Sequence, residues 1–311
     1  MKLLVEYLTP NQSFHYVYEN IRYQLQFKCP EIEDLEYVEL PRGHNPHPGG
    51  PNGVSTMKII NKDNYKTTVL SFWDRGLQVF DTGVGWEKYN IVHLIGGLGI
   101  VPRELANKIA TKNFKYSPLA YPLEFTRSYE CIANLRTEYK YDEKIKQACF
   151  IGCLYHPRDE FTKILTKHPM FKVMGPDAGL RYEPYYLEMQ KYAMTLSFNG
   201  AGEYSIRDFE SMGMGIPVLR SQTSSPLYAP FIPGVNYVRA SQPSDDAFII
   251  YPCTTFQEIA DEFIAAAEGV MNNGELLTQI SKNSIEYFDN YVLPSKIVDL
   301  FFKQFDLSLL K

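Results

Sequence analysis

TLSFNGAGEYSIRDFESMGMGIPVL, residues 195–219, is the stretch that decides the fold. It begins with an apolar strand, Thr195–Phe198, which leads into a loop with two glycines between Asn199 and Gly202. A helix is predicted over about residues 204–213, and the short apolar segment Pro217–Leu219 reads as a second strand. A strand, a crossover helix and a strand in this order predict neighbouring parallel strands in an α/β sheet.

The loop and the first turns of this helix have the composition of an anion-binding site. Glycines let backbone N–H groups approach an anion, and the start of a helix adds partial positive charge. Arg207 and Glu210 are three residues apart and share one face of the helix. An arginine suits a diphosphate because it donates two parallel hydrogen bonds, and a carboxylate suits the two vicinal hydroxyls of a ribose.

The same residues also have a purely structural interpretation. Gly200, Gly202, Gly213 and Gly215 would then permit tight turns and close packing of the helix on the sheet. Arg207 and Glu210 would form an exposed helical pair worth about 0.3–0.5 kcal/mol. A glycine-rich turn before a helix is common in α/β proteins, so only the whole string, with both strands, favours the binding site.

Outward from this window, the second half of the chain alternates strands and helices. The pattern predicts strands at 149–154 and 171–174, and helices at 157–166, 184–193, 255–271, 276–288 and 295–310. The first half predicts strands at 3–8, 35–40, 57–61, 67–72 and 91–95, with a hairpin turn between the third and the fourth. A helical stretch over 124–146 leads to a boundary near residue 145. The fold class expected is α/β, with two Rossmann-like domains facing each other across a cleft.

Composition narrows the functional class. The 311 residues include 31 Lys and Arg against 36 Asp and Glu, a formal charge of −5, which argues against a surface that is basic all round. No uncharged apolar run of 18 residues occurs, so we expect no membrane span. The N-terminal apolar stretch contains Glu6, which predicts a strand rather than a signal peptide. Five cysteines without a Cys-x-x-Cys pair indicate reduced thiols and a cytoplasmic protein.

Three segments resemble the donor-binding domain of GT-B glycosyltransferases. The run from Glu210 to Leu219, ESMGMGIPVL, is similar to the helix-to-strand element of that superfamily, and an arginine three residues before the glutamate is similar to the exostosin-like pattern. The run from Phe150 to Arg158, FIGCLYHPR, resembles the first strand and loop of the donor domain. The last helix, 295–310, resembles the one that crosses back to the N-terminal domain. The resemblance is good over about residues 147–311 and weak before them.

The resemblance implies a domain organisation and a set of donor-binding residues. Residues 1–146 would form the acceptor-side domain, 147–294 the nucleotide-sugar domain, and 295–311 the returning helix. Glu210 would hold the ribose, and Arg158 and Arg207 the diphosphate of a UDP- or GDP-sugar, with no cofactor and no metal. The donor-binding residues expected are Arg158, Gly200, Gly202, Glu203, Tyr204, Ser205, Arg207 and Glu210.

One departure bears on stereochemistry. Retaining members of the superfamily often carry two glutamates eight positions apart, and the residue eight before Glu210 is Gly202, with Glu203 one position later. The retaining signature is not met, and Arg207 favours an inverting enzyme. An inverting transfer needs a general base, for which Asp74 is the candidate because it follows an apolar strand. It could equally cap the next helix or pair with Arg75, and Asp81 and His93 are weaker candidates.

The acceptor and the class of protein are left open by the residues. A glycan or a protein side chain is the acceptor typical of the superfamily, and a modified base in DNA is the alternative, which would require a basic, salt-sensitive face. A non-catalytic protein that binds a nucleotide or sugar nucleotide is the alternative of another class. His44 and His47 lie in a Pro- and Gly-rich loop without a carboxylate or cysteine nearby, so they do not predict a metal site.

Overall fold

A computed structural model gives the fold of this chain. It describes the backbone of six strands within residues 2–116, and then residues 126–154, 158–198, 205–221, 229, 231–240, 256–293 and 296. The chain divides into two compact units. The first unit comprises residues 1–124, 225–228 and 294–311, and the second comprises 125–224 and 229–293. Residues 125–146 thus belong to the second unit, whereas the sequence analysis placed them before the domain boundary.

The first unit contains a six-stranded mixed sheet. Its strands are β1 (Lys2–Leu8), β2 (Asp34–Leu40), β3 (Ser55–Asn61), β4 (Thr67–Phe72), β5 (Ile91–Leu94) and β6 (Lys115–Tyr116), in the order β2-β1-β3-β4-β5-β6. Strand β3 runs antiparallel to both of its neighbours, and the other pairs are parallel. The antiparallel pairing of β3 with β4 confirms the predicted hairpin, because a short connection can join only antiparallel strands.

The second unit contains a five-stranded sheet in which every strand is parallel to its neighbours. Its strands are β7 (Ile145–Ile151), β8 (Phe171–Met174), β9 (Tyr192–Leu196), β10 (Val218–Arg220) and β11 (Val238–Arg239), in the order β11-β10-β9-β7-β8. The fold is α/β, as predicted. Strand β9 is buried along its whole length because it lies in the middle of this sheet with helices on both faces.

Six α-helices accompany this sheet within the described part of the chain. They are α1 (Thr126–Leu135), α2 (Arg158–Leu165), α3 (Glu183–Met189), α4 (Ile206–Gly213), α5 (Phe256–Met271) and α6 (Gly274–Tyr287). The chain leaves β7 for β8 in one direction and returns from β8 to β9 in the other, so right-handed crossovers put α2 and α3 on opposite faces. Helix α2 packs with α5, and α4 packs with α1 and α6. The core between these layers includes Phe150, Phe161, Leu196 and Phe263, all buried.

Two sequence-based helix predictions were wrong in part. The predicted helix 124–146 ends at Leu135, and residues 136–140 belong to no regular element. Tyr139 in this segment is buried, and its hydroxyl donates to the carbonyl of Ala193 over 2.9 Å, which draws the chain away from a helical path. The predicted helix 184–193 ends at Met189, since Tyr192 already begins β9. A strand that is buried on both faces has a continuous apolar sequence, and periodicity does not separate it from the end of a buried helix. The predicted helix 295–310 lies outside the described residues apart from Lys296.

Candidate functional site

The topology of the parallel sheet places a ligand crevice at one point of its edge. Strands β7 and β9 are neighbours, but the chain continues from them towards opposite sides of the sheet. The loops that follow such a pair of strands separate and leave a crevice outside their carboxyl ends, which is where α/β proteins bind ligands. Gly152 follows β7, and Ser197 and Phe198 follow β9. The window that begins at Thr195 therefore enters this crevice.

Two arginines flank a pair of stacked aromatic rings at these strand ends. The rings of Phe150 and Phe198 stack with centroids 4.7 Å apart and an angle of 14° between their planes. The Cζ atom of Arg207 lies 4.1 Å from the centroid of Phe150, and that of Arg158 lies 5.7 Å from the centroid of Phe198. Each guanidinium thus lies over the face of one ring, an arrangement that stabilises a cation electrostatically. The stack brings together two arginines that are far apart in sequence.

The position of the Arg207 guanidinium requires a glycine at residue 152. One of its terminal nitrogens, Nη2, donates to the carbonyl oxygen of Ile151, the last residue of β7. A Cβ atom on Gly152 would collide with that nitrogen and would lie 3.5 Å from Cζ. Gly152 also has a φ of +157°, which side chains disfavour. Among the residues that the structure describes, Nε of Arg207 is buried and has no hydrogen-bond partner. This donor therefore has unused hydrogen-bonding capacity.

Polar contacts fix the start of α4, which carries Arg207. The backbone N–H of Ser205 donates to Oδ2 of Asp208 over 2.8 Å, as in a capping box. The same carboxylate oxygen lies 2.7 Å from Nη1 of Arg220, at the end of β10, and both side chains are fully buried. The hydroxyls of Ser197 and Ser205 are 3.0 Å apart. This bond links the residue after β9 to the residue before α4.

Glu210 accepts hydrogen bonds from two consecutive tyrosines of α3. The hydroxyl of Tyr185 donates to Oε2 and that of Tyr186 to Oε1, each over 2.9 Å. Burial raises the pKa of the Glu210 carboxyl above its usual value, while the two hydroxyls and the charge of Arg207 act in the opposite direction. Each carboxylate oxygen keeps lone-pair capacity for one more donor. The side chain is therefore held firmly, and it can still accept from a ligand.

The predicted site residues divide into two groups. The structure describes Arg158, Ser205, Arg207 and Glu210, and it brings them to the first turns of α2 and α4. The other predicted residues lie outside the described residues: Asp74, Gly200, Gly202, Glu203 and Tyr204.

Several contacts of the site were missed by the sequence analysis. Gly152 stood within the quoted run 150–158 but was not singled out, although a glycine directly after an apolar strand is a signal of close backbone approach. The stacking of Phe150 on Phe198, the tyrosines that hold Glu210 and the partner of Asp208 all join distant parts of the sequence. Only the folded chain shows them.

The structural interpretation of two glycines is confirmed. A Cβ on Gly213 would lie 2.7 Å from the ring of Phe288 and 3.0 Å from Ile132. Gly215 has a φ of +70°, and a Cβ there would lie 2.7 Å from Ile285. Both glycines let the end of α4 pack closely, and neither lies at the start of the helix where Arg207 stands.

Three further sequence-based expectations concern a metal site, a membrane-spanning helix and the state of the cysteines. Within the described ranges no group of three His, Cys, Asp or Glu side chains is arranged to hold a metal ion. No described helix has the length and apolar character needed to cross a membrane. Cys131, Cys149 and Cys153 are free thiols, and burial raises the pKa of Cys149 to about 12, so this thiol stays protonated.

Comparisons with known proteins found similarity among solved structures. No protein-family model matches the chain, and no curated protein matches it. One similar solved structure is the GtfA/B complex, at 10% identity and a TM-score of 0.43, over 72% of this chain and 46% of that chain. A second is the pneumococcal O-GlcNAc transferase GtfA in complex with UDP and GlcNAc. Its sequence identity is 12% and its TM-score 0.42, over 72% of this chain and 46% of that chain.

A third similar structure is Anabaena Alr3699/HepE in complex with UDP and glucose, at 12% identity and a TM-score of 0.39, over 73% of this chain and 80% of that chain. The chain thus spans less than half the length of the first two proteins.

Proposed function

We propose that this protein is a glycosyltransferase that moves a sugar from a nucleoside-diphosphate sugar to an acceptor hydroxyl. The observation that carries the proposal is the pair of arginines, Arg158 and Arg207, on the stacked rings of Phe150 and Phe198 at the edge of the parallel sheet. Two guanidinium groups at a switch point of an α/β sheet suit the diphosphate of a UDP- or GDP-sugar. The resemblance of residues 147–311 to GT-B donor domains points to the same ligand.

The two arginines would stabilise the leaving group. When the bond between the anomeric carbon and the diphosphate oxygen breaks, negative charge develops on that oxygen. Fixed positive charges near it lower the barrier because they need no reorganisation as the charge forms. Arg158 and Arg207 would supply this stabilisation, so the reaction would not require a metal ion. The unpartnered Nε of Arg207 is a donor suited to this role.

Glu210 would bind the ribose of the donor. Its carboxylate stands one helical turn after Arg207, and it keeps acceptor capacity beyond the hydroxyls of Tyr185 and Tyr186. The loop of Gly200 and Gly202, with Glu203 and Tyr204, would let the donor approach the backbone. The bond between the hydroxyls of Ser205 and Ser197 would hold the two ends of this loop beside the diphosphate.

The transfer would invert the configuration of the sugar. A base, for which we propose Asp74, would take the proton of the acceptor hydroxyl, and the acceptor oxygen would attack the anomeric carbon from the side opposite the diphosphate. The nucleoside diphosphate then leaves. The acceptor would be a glycan or a protein hydroxyl. The absence of a glutamate eight residues before Glu210 supports inversion.

Turnover of a panel of sugar nucleotides tests the proposal. The protein is incubated with UDP- and GDP-sugars, and the slow release of free nucleotide is followed, together with nucleotide affinity by calorimetry. Arg207→Ala should weaken nucleotide binding by about tenfold to a hundredfold, since a charge-assisted hydrogen bond is worth about 1.5–3 kcal/mol. Lys282→Ala, which removes an exposed cation of α6, is the matched control and should leave both quantities unchanged.

Separate results would contradict separate parts. Unchanged affinity in both Arg207→Ala and Glu210→Ala, with folding intact, would remove the proposed donor site. Tight binding without turnover of any donor would instead identify a non-catalytic sugar-nucleotide-binding protein. A strong loss of activity on adding a chelator would contradict metal independence. The anomeric configuration of the released sugar, read by NMR, distinguishes inversion from retention.

A further inference from the structure

The carboxylate of Glu210 is held from two directions. Tyr185 and Tyr186 are consecutive residues of a helix, so their side chains leave it about 100° apart. Both hydroxyls nevertheless reach the same carboxylate, one on each oxygen, at 2.9 Å. The two bonds fix the position of the carboxylate and also the rotation of its plane. One bond alone would leave the rotation free.

The tyrosines are themselves immobilised. Their rings meet edge to face, with centroids 5.1 Å apart and an angle of 73°. Tyr186 is only 1% exposed, and its hydroxyl also interacts with the side chain of Ser128. Two rings in this state do not exchange rotamers freely, because each would have to displace the other. The carboxylate therefore has a preset orientation before any ligand binds.

The backbone that leads into these tyrosines is strained. Tyr182, which precedes α3, has φ +53°, and among the described residues it is the one non-glycine with a positive φ. Such a conformation costs on the order of 1–3 kcal/mol and tends to occur near functional sites. The carbonyl of Tyr182 accepts from the N–H of Tyr186 over 3.0 Å. The strained residue thus sets the first turn of α3, where both tyrosines stand.

We propose that Tyr185 and Tyr186 are positioning residues that orient Glu210 towards the ribose 2′- and 3′-hydroxyls and so set a preference for ribonucleotides over 2′-deoxyribonucleotides. This inference rests on the proposed function, because it needs a nucleotide at the site. A carboxylate in a fixed plane bonds both hydroxyls of a ribose well. A 2′-deoxyribose forms only one of these two bonds, and a carboxylate that the tyrosines hold in place cannot turn to compensate for the bond that is lost.

Affinities for paired nucleotides test this inference. The dissociation constants of UDP and 2′-deoxy-UDP, or of GDP and 2′-deoxy-GDP, are measured by calorimetry for the wild type and for Tyr185→Phe, Tyr186→Phe and the double variant. Each single variant should bind the ribonucleotide about fivefold to tenfold more weakly and bind the deoxy analogue nearly as before. With a sugar nucleotide, KM should rise with little change in kcat.

Tyr192→Phe is the matched control. The hydroxyl of Tyr192, in β9, donates to Glu188 of α3 over 3.3 Å. Like the test variants, this substitution removes one tyrosine–glutamate hydrogen bond, but not one made to Glu210. It should leave the ratio of the two affinities unchanged. Thermal unfolding checks that each variant is folded, and Tyr185→Phe provides the test if the more buried Tyr186→Phe does not fold.

The outcomes separate the two proposals. If both tyrosine variants fold and keep the wild-type ratio while Glu210→Ala weakens ribonucleotide binding, the positioning role is wrong and the donor site stands. If Glu210→Ala leaves ribonucleotide binding unchanged, the ribose site and the positioning role both fall. If the preference for the ribonucleotide over its 2′-deoxy analogue falls in the Tyr185 and Tyr186 variants and is unchanged in Tyr192→Phe, the positioning role is supported.

Discussion

Helix α4 has an ion pair at each of its ends, and the two pairs differ in burial. At the N-terminal end, Asp208 pairs with Arg220 over 2.7 Å, and the two side chains are 0% and 1% exposed. At the C-terminal end, Arg136 pairs with Asp289 through two bonds of 2.9 Å, and the exposures are 22% and 43%. Nε of Arg136 also donates to the carbonyl of Gly213 over 2.5 Å. Both pairs suit the helix dipole, with an acid at the start and a base at the end.

The surroundings of the two pairs show what each end does. Around the N-terminal end, Nε of Arg207 and Oδ1 of Asp208, the carboxylate oxygen that does not face Arg220, are buried and have no hydrogen-bond partner among the described residues. Around the C-terminal end, Gly213 and Gly215 are in close contact with apolar side chains. Buried polar atoms left in this way are costly and are tolerated where a ligand completes them. From this comparison we propose that the N-terminal end of α4 serves binding, and we assign its C-terminal end to packing.

The largest expected effect comes from breaking the buried pair. Asp208→Asn should reduce the free energy of unfolding by about 3–5 kcal/mol, because it leaves the buried charge of Arg220 without its carboxylate. Asp289→Asn, at the more exposed pair, should cost about 1 kcal/mol or less. Chemical denaturation of the two variants measures the difference. Equal losses would break the contrast between the two ends, and Asp208→Asn combined with Arg220→Met should recover part of the loss.

The packing end predicts a smaller loss of stability with no loss of binding. Gly213→Ala should destabilise the fold by about 1–3 kcal/mol, because the added methyl group meets the buried ring of Phe288. Gly215→Ala should cost a similar amount, about 1–2 kcal/mol of it from the left-handed backbone. Denaturation and nucleotide calorimetry are measured on the same samples. A fall in nucleotide affinity with little change in stability would contradict the assignment of this end to packing.

The binding end predicts the reverse pattern at Gly152. Gly152→Ala should displace the guanidinium of Arg207 and weaken nucleotide binding by about tenfold, or 1.4 kcal/mol. Gly175→Ala is the control, since Gly175 follows the neighbouring strand β8 and a Cβ there would lie 3.4 Å from Leu154, an ordinary contact. It should bind nucleotide as the wild type does. Equal affinities in the two variants would show that the approach of Arg207 to β7 does not matter for binding.

The smallest effect is a dependence on pH. Burial raises the folded-state pKa of Glu210 above 4.5, so the native state holds this proton more tightly than the unfolded chain. The stability contributed by this group is then complete below about pH 4.5 and is lost as the pH rises through the folded-state pKa. Glu210→Gln removes this titration. Its free energy of unfolding should therefore rise relative to the wild type across that window, and a constant difference would contradict the prediction.

Much of the α/β pattern was predictable because local rules determine it. The strands at 67–72 and 171–174 and the helix at 256–271 agree with their predicted positions within one residue, since each has clear boundaries and a single period. The predictions failed at 136–146 and 190–193, where burial of Tyr139 and pairing of β9 in the middle of the sheet override the local pattern. The placement of Arg207 and Glu210 one turn apart was predictable because they share one helix.

The sequence by itself determined which charged residues stand at the start of α4 and which glycines punctuate it, because helix periodicity and glycine conformations are local properties. Only the tertiary structure decided what each of them faces. Arg207 lies over Phe150 because β7 and β9 are neighbours in the sheet, and Glu210 is held by Tyr185 and Tyr186 because α3 packs beside it. These contacts join residues that are 24 to 57 positions apart in the sequence. Local sequence patterns carry no information over such distances.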